Sequence, residues 1–287
     1  MRIRLDLRYD GTDFFGWAKQ PNMRTVQEEL ELALSKVLPG MWGKKISTVV
    51  AGRTDTGVHA RHQVVHFDYS INANPTDDST ALLDGSASFS FDILLYRLRC
   101  VLPEDVVVFA AKAVEPDFSA RFWAKSRTYK YRIVDDAQFD FPTRRRDVFR
   151  VKHQLDVGAM QSAIEGLTGL HDFAAFVKPR RGATSTRDLQ VFKVERKEQG
   201  DDAGLVVFTL RADAFAYNMV RSLVQASVLV GQRKRDTEFL RDKLRAGVRE
   251  GATGPISPRG LTLEKIEFIE GASLARAREV QIKQRRG

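Results

Sequence analysis

The sequence predicts an α+β protein of two similar halves, and three observations carry that reading. Short alternating or β-branched segments of strand character are interleaved with longer segments of helical apolar spacing. Their order runs strand, helix, strands, helix, strand, and then does so again. The length of 287 residues suits one large domain or two of ordinary size, with 43% hydrophobic and 29% charged residues, as in a soluble globular chain.

The first half is assigned to residues 1–115. Residues 2–9 alternate, with Ile3, Leu5 and Leu7 on one face and Arg4, Asp6 and Arg8 on the other, so they read as a strand with one buried face. Tyr9-Asp10-Gly11-Thr12-Asp13 ends it with turn chemistry. Thr25-Val26-Gln27-Glu28 has capping-box spacing and opens a helix whose apolar positions are Val26, Leu30, Ala33, Leu34, Val37 and Leu38. Pro39-Gly40 stops it. Strands are expected over Lys45–Ala51 and Gln63–Tyr69, with the polar loop Arg53-Thr54-Asp55-Thr56-Gly57 between them. Residues 71–90, rich in Asn, Ser, Asp and Ala, read as a long mobile insertion. Phe91–Val101 is helical and Val106–Phe109 a short strand.

The second half, 116–272, repeats the order. Thr128–Val134 is a strand, Leu155–Leu167 a helix stopped near Gly169, and Leu189–Arg196 and Leu205–Arg211 are strands. Asn218–Val230 is an apolar helix ended by Gly231, and Leu261–Ile269 is a closing strand. Residues 273–287 carry five of the chain's basic residues and form either a solvated tail or a basic arm.

A net charge of +9, with a pI near 9.7, attracts polyanions, nucleic acid first among them, although many proteins are basic for solubility alone. The single cysteine, Cys100, excludes an intrachain disulfide and paired-cysteine zinc motifs. His62 and His66 stand four apart, but Gln63–Asp68 reads as strand, which spoils a helical metal pair. With no signal-peptide core and no apolar run near the ~20 residues of a membrane span, a cytoplasmic protein is expected.

The most informative string is Ala51-Gly52-Arg53-Thr54-Asp55-Thr56-Gly57-Val58-His59-Ala60. A carboxylate in a glycine-flanked loop is held by backbone yet accessible, and an ordinary aspartate, with a pKa of about 3.9, is ionised at neutral pH and ready as nucleophile or base. Taken alone, Arg-Thr-Asp also reads as a capped turn. The longer string resembles the active-site motif of the TruA family of tRNA pseudouridine synthases. In family order, so do Tyr9–Trp17, Thr25–Glu28, Asp117–Phe122 with Arg127–Tyr131, His171–Phe173, Tyr217–Arg221, and Gly260-Leu261. The resemblance spans roughly residues 3–270, departing at Ala18, at Leu98-Arg99-Cys100 and in the long 71–90 segment.

The resemblance implies the pseudouridine synthase fold, two ferredoxin/RRM-like α+β halves whose antiparallel sheets join into one platform with a central cleft. It implies a homodimer without metal or organic cofactor, acting on uridines 38, 39 and 40 of the tRNA anticodon stem-loop. Asp55 is implied as the catalytic carboxylate, Tyr129 as the ring that stacks on the target base, Arg221 as the partner of Asp55, and Arg53 as a support of the loop or nearby backbone. Each role is chemically reasonable: a glycosidic carbon with oxocarbenium character suits a carboxylate, a base drawn from its stack needs an aromatic surface, and an arginine orients a carboxylate. By spacing alone, Tyr129 and Tyr131 read as core and Arg221 as a snorkelling surface residue. Lys19, Arg24, Arg61, Lys125 and Arg127 are candidate RNA contacts, as are the runs Arg144-Arg145-Arg146 and Lys178-Pro179-Arg180-Arg181.

Two other readings stand beside this one. Asp55-Thr56-Gly57 is also the short signature of aspartic proteases, which need two such loops sharing a proton; this chain has one, beside the cationic Arg53. A non-catalytic RNA-binding protein would fit the charge and fold class without using Asp55.

Overall fold

The computed structural model describes residues 1–70, 89–180, 182–249, 254–271 and 273–276. Most of the expected insertion at 71–90, together with Arg181 and the tail beyond Arg276, lies outside the described residues. The described chain forms two compact units, Met1–Ala124 with residues 268–276, and Lys125–Glu267.

The first unit contains β1 (Arg2–Tyr9), α1 (Val26–Val37), β2 (Val49–Val50), β3 (His59–Asp68), α2 (Phe91–Val101) and β4 (Val106–Val114). β1 is central, flanked antiparallel by β3 and β4, and β2 extends the sheet on β3. The alternation in β1 sets the buried face: Ile3, Leu5 and Leu7 are fully buried, while on the other face the guanidinium of Arg8 lies 4.3 Å from the Phe109 ring centre. α1 begins where the Thr25 hydroxyl accepts from Glu28 N–H, and buries Val26, Leu30, Ala33, Leu34 and Val37. α2, capped by Ser90, buries Leu94 and Leu98, one helical turn apart.

The expected strand at 45–51 contracts to Val49–Val50. The Thr48 N–H donates to Glu31 Oε1 at 2.8 Å and its hydroxyl at 3.0 Å, so that amide goes to a helix side chain instead of a ladder. β3 begins at His59, four residues before the expected start, so the Asp55 loop runs almost directly into it.

The second unit contains β5 (Ala124–Val134), β6 (Phe149–Arg150), α3 (Val157–Ile164), β7 (Gly169–Asp172), β8 (Thr186–Arg196), β9 (Val206–Ala212), α4 (Met219–Gly231), α5 (Phe239–Ala246) and β10 (Leu261–Phe268). Its strand order is β10-β5-β9-β8-β7, with β6 parallel on β5. Val206, Phe208, Leu210 and Ala212 of β9 are fully buried, as are Met219, Leu223, Val224 and Ala226 of α4. The helix expected at 155–167 is shorter. Asp156 caps it at Ala159 N–H, the Leu155 N–H turns away to Asp135, and Gly166 (φ +80°) leaves it. β6, β7 and α5 were not expected. α5 is so polar that its buried positions, Leu240 and Lys243, do not stand out; the Lys243 ammonium lies 5.9 Å from the Phe176 ring and 5.8 Å from the Phe239 ring.

The chain is α+β as its sequence predicts, and the inferred repeat has a topological basis. Each unit contains a β-α-β-β-α-β motif, β1-α1-β2-β3-α2-β4 in the first and β5-α3-β8-β9-α4-β10 in the second, to which the second adds β6, β7 and α5. No described helix is long and apolar enough to cross a membrane.

Candidate functional site

The loop that carries Asp55 is held from two sides by other segments of the chain and braced by a bond of its own. On one side, the Trp17 N–H donates to Thr54 O at 3.0 Å and the Gly57 N–H to Phe14 O at 3.2 Å. On a second, the Tyr9 hydroxyl and Thr54 Oγ1 lie 2.7 Å apart, and Gln63 Nε2 reaches both the Tyr9 oxygen (3.3 Å) and Gly52 O (2.7 Å). Within the loop, the Val58 N–H donates to Asp55 O at 3.1 Å, and Gly57 takes φ +75°. Thr54 is buried, Asp55 half-buried and Arg53 exposed. The arrangement sets a half-buried carboxylate on a backbone tied by these hydrogen bonds, a setting that suits a nucleophile or base.

Two glycines permit this close packing. A Cβ on Gly16, which has φ +87°, would stand 2.8 Å from Thr54 O, and one on Gly11 would stand 2.0 Å from Val58 O. The Gly11 N–H donates to His59 Nδ1 at 3.1 Å. Gly16 O also accepts from Val26 N–H and Trp17 O from Gln27 N–H, so the segment that grips the loop is itself pinned to the start of α1. The stretches 9–17, 25–28 and 51–60, which carry the family resemblance, therefore form one scaffold. Tyr9, Gly11, Gly16 and Gln63 had no assigned role from sequence. Their signal was the quoted motif Tyr9–Trp17, which does not reveal what it touches.

In the second unit, Tyr129 lies on β5 opposite Leu210 and is buried, its ring at 90° to Phe215 with centres 5.2 Å apart. Tyr131 is fully buried and donates to Ser257 O at 2.8 Å. Arg127 is also buried, with Nη1 2.5 Å from Asp213 O, whereas Lys125 is exposed. Arg221, in the first turn of α4, is half-buried. Its Nε donates to Ile256 O at 2.7 Å, and its own carbonyl accepts from Ile256 N–H at 3.3 Å. Asn218, before that helix, adopts φ +64° and places Oδ1 3.4 Å from Arg221 Nη1.

The other basic candidates differ in how far they are already engaged. Arg24 forks onto Asp105 at 2.8 and 2.9 Å, reaches Glu29 and covers the Phe14 ring at 4.1 Å. Lys19 is exposed and pairs with Glu28 at 3.1 Å; Arg61 is exposed on β3. Of the run 144–146, Arg144 is bound to Asp147, Asp202 and Asp201 O, and Arg145 and Arg146 are exposed. Lys178 lies 5.6 Å from the Tyr217 ring. His62 meets Asp6 at 2.7 Å, and the described residues hold no group of three or more metal-ligating side chains.

The profile of the family described as tRNA pseudouridine synthase matches residues 7–92 and 163–268, which include the Asp55 loop and Arg221. The tRNA pseudouridine synthase A of Bifidobacterium longum (strain DJO10A) is 41% identical over 295 residues, covering 96% of this chain and 95% of the relative. That of Streptomyces avermitilis is 42% identical over 277 residues, covering 96% and 90%. That of Corynebacterium glutamicum is 41% identical over 271, covering 93% and 89%. With its clamped Asp55 loop and near full-length similarity, the chain belongs to the TruA family of tRNA pseudouridine synthases, which are isomerases.

Proposed function

We propose that this chain converts uridine to pseudouridine in the anticodon stem-loop of tRNA, at positions 38, 39 and 40, with Asp55 as the catalytic carboxylate. The observation that carries the reading is the half-buried Asp55, set in the family's motif on a loop clamped through Thr54 by Tyr9 and Trp17. Asp55 either attacks the sugar C1′ or removes the C2′ proton. In both routes the C1′–N1 bond breaks, the uracil turns and a C1′–C5 bond forms. C5 then gives up its hydrogen, and N1 carries a proton in the product. Tyr129 is the ring on which the target base stacks, Arg221 the counter-charge that keeps Asp55 ionised and oriented, and Arg53 a support for the loop.

The charge of +9 supports a polyanionic substrate. Lys19, Arg61 and Lys125, all exposed, are proposed to meet phosphates. Arg24 and Arg127 hold Asp105 and Asp213 O within their own units, so they contribute through the surfaces they stiffen. The protein acts in the cytoplasm as a homodimer, because a tRNA is larger than one 32.4 kDa subunit readily straddles.

The test uses unmodified tRNA tritiated at uridine C5. Wild type is expected to release tritium, while Asp55→Asn binds tRNA within a few fold of wild type and releases none. Release by a pure Asp55→Asn preparation overturns the role of Asp55. Tight tRNA binding without release by wild type favours a non-catalytic binder.

A further inference from the structure

The end of α1 away from the Asp55 loop carries a second feature suited to RNA. Trp42 is 76% exposed, whereas Trp17 and Trp123 are buried. It shares an open cavity of about 410 Å³ with Lys36, Lys44 and Arg97, and among the described residues no acidic side chain lines it. The three cations make no side-chain hydrogen bond or ion pair among the described residues, unlike Arg2, Arg4, Arg24 and Arg144, each of which meets a carboxylate. Gathering like charges around an exposed indole is unfavourable in an isolated protein on both counts: the cations repel, and the ring stays hydrated. A ligand with regularly spaced negative charge and flat apolar faces relieves both, and single-stranded nucleic acid has both properties.

Geometry adds a ruler. Val26, at the start of α1, binds Gly16 O in the segment that grips the Asp55 loop, and Val37, eleven residues on, lines the cavity. At about 1.5 Å per residue the helix spans roughly 17 Å, or about five stacked nucleotides at ~3.4 Å each. We propose that Trp42, Lys36, Lys44 and Arg97 form an accessory RNA anchor that takes an unpaired base on the indole and neighbouring phosphates on the cations. The anchor rests on the reading of the substrate as RNA, and goes beyond it by naming a contact outside the Asp55 loop.

Trp42 is itself the reporter, being the exposed one of three tryptophans. Titration with tRNA quenches its fluorescence in wild type, and Trp42→Phe abolishes that quench while retaining most of the affinity. Trp42→Ala weakens binding about ten-fold. The charge-reversed Lys36→Glu/Lys44→Glu/Arg97→Glu protein binds tRNA roughly ten- to a hundred-fold more weakly. Its log–log salt slope is shallower by about two to three, at ~0.7–0.9 per phosphate contact. Its kcat at saturating tRNA is unchanged, and a hairpin too short to reach the anchor is bound as by wild type. Equal quenching in wild type and Trp42→Phe, with unchanged affinity and slope in the triple variant, overturns the proposal. So does a change in oligomeric mass at unaltered tRNA affinity, which marks the patch as a protein interface. Tritium release by the same preparations reads the proposed activity separately, so either idea falls without the other.

Discussion

Tyr9 shows how one oxygen ties the Asp55 loop to a distant strand. Its oxygen accepts from Gln63 Nε2 and shares a hydrogen bond of 2.7 Å with Thr54 Oγ1, one residue before Asp55, in which either hydroxyl can donate. Burial pushes the phenol up to about 12, so it stays protonated wherever the protein is assayed. Tyr9→Phe leaves both partners short of a hydrogen bond. The expected cost is about 1–2 kcal/mol in urea unfolding, with a several-fold lower kcat as the loop loosens. Lost stability with unchanged kcat reduces Tyr9 to a core residue. Gly11 and Gly43 offer a controlled comparison. The Cβ of Gly11→Ala would meet backbone, Val58 O at 2.0 Å, so the strand and loop must part at a cost of about 3 kcal/mol, and turnover is lost. Gly43 has φ +71° and nothing within 4 Å, so its alanine variant carries only the backbone strain of about 1 kcal/mol. Equal melting temperatures for the two variants would contradict this account.

At the scale of elements, β3 carries a histidine that links folding to pH. His66 is buried, accepts from Ala120 N–H through Nδ1 at 3.1 Å and meets the Phe118 ring edge-on. Burial, then the nearby Arg2, lowers its pKa to about 4. Because the folded pKa lies below the unfolded value of about 6.5, the unfolded chain takes the proton first on acidification. Stability from the neutral ring is complete above pH ~6.5, falls as pH drops toward 4, and is flat below. From pH 7.5 to 5 this amounts to about 2 kcal/mol. Denaturant unfolding at the two values should show that loss in wild type and much less in His66→Gln, which accepts the same hydrogen bond without titrating. Equal losses would place the pH dependence elsewhere. The same scale shows where sequence patterns mislead. Lys45–Ala51 has strand composition, yet Glu31, on a helix, takes the Thr48 amide, and no local pattern discloses that. Phe239–Ala246 has helical spacing concealed by charge, because Lys243 lies buried beside aromatic rings.

At the scale of the whole molecule, one topology is used twice with different results. The β2–β3 connection in the first unit presents Asp55, while the equivalent β8–β9 connection in the second contains Asp202. Asp202 is tied to Arg132 at 2.9 Å and Arg144 at 3.1 Å, and these partners outweigh desolvation to hold its carboxyl below the usual range. One connection presents its carboxylate and the other secures its unit. The net charge of +9 acts at this scale too. Affinity for tRNA is expected to fall more than ten-fold between 50 and 200 mM monovalent salt, as released counterions require. A salt-insensitive Kd would mean that the charge serves solubility alone.

The sequence by itself determined the α+β class, the order of the long elements and the loop that carries Asp55. Each is written in local signals: period-two alternation in Arg2–Tyr9, the Thr25 cap, and the glycine-flanked Arg53–Gly57 string. Tertiary structure alone decided what holds that loop. Tyr9 and Thr54 are 45 residues apart and Tyr9 and Gln63 54 apart, and the need for glycine at 11 and 16 exists only once two backbones meet. It also decided which cations are spent on carboxylates, as in Arg24 and Arg144, and which are left around Trp42. Propensity and turn chemistry act over a few neighbouring residues, whereas a hydrogen bond or a packing limit between distant segments has no counterpart in the chain until it folds.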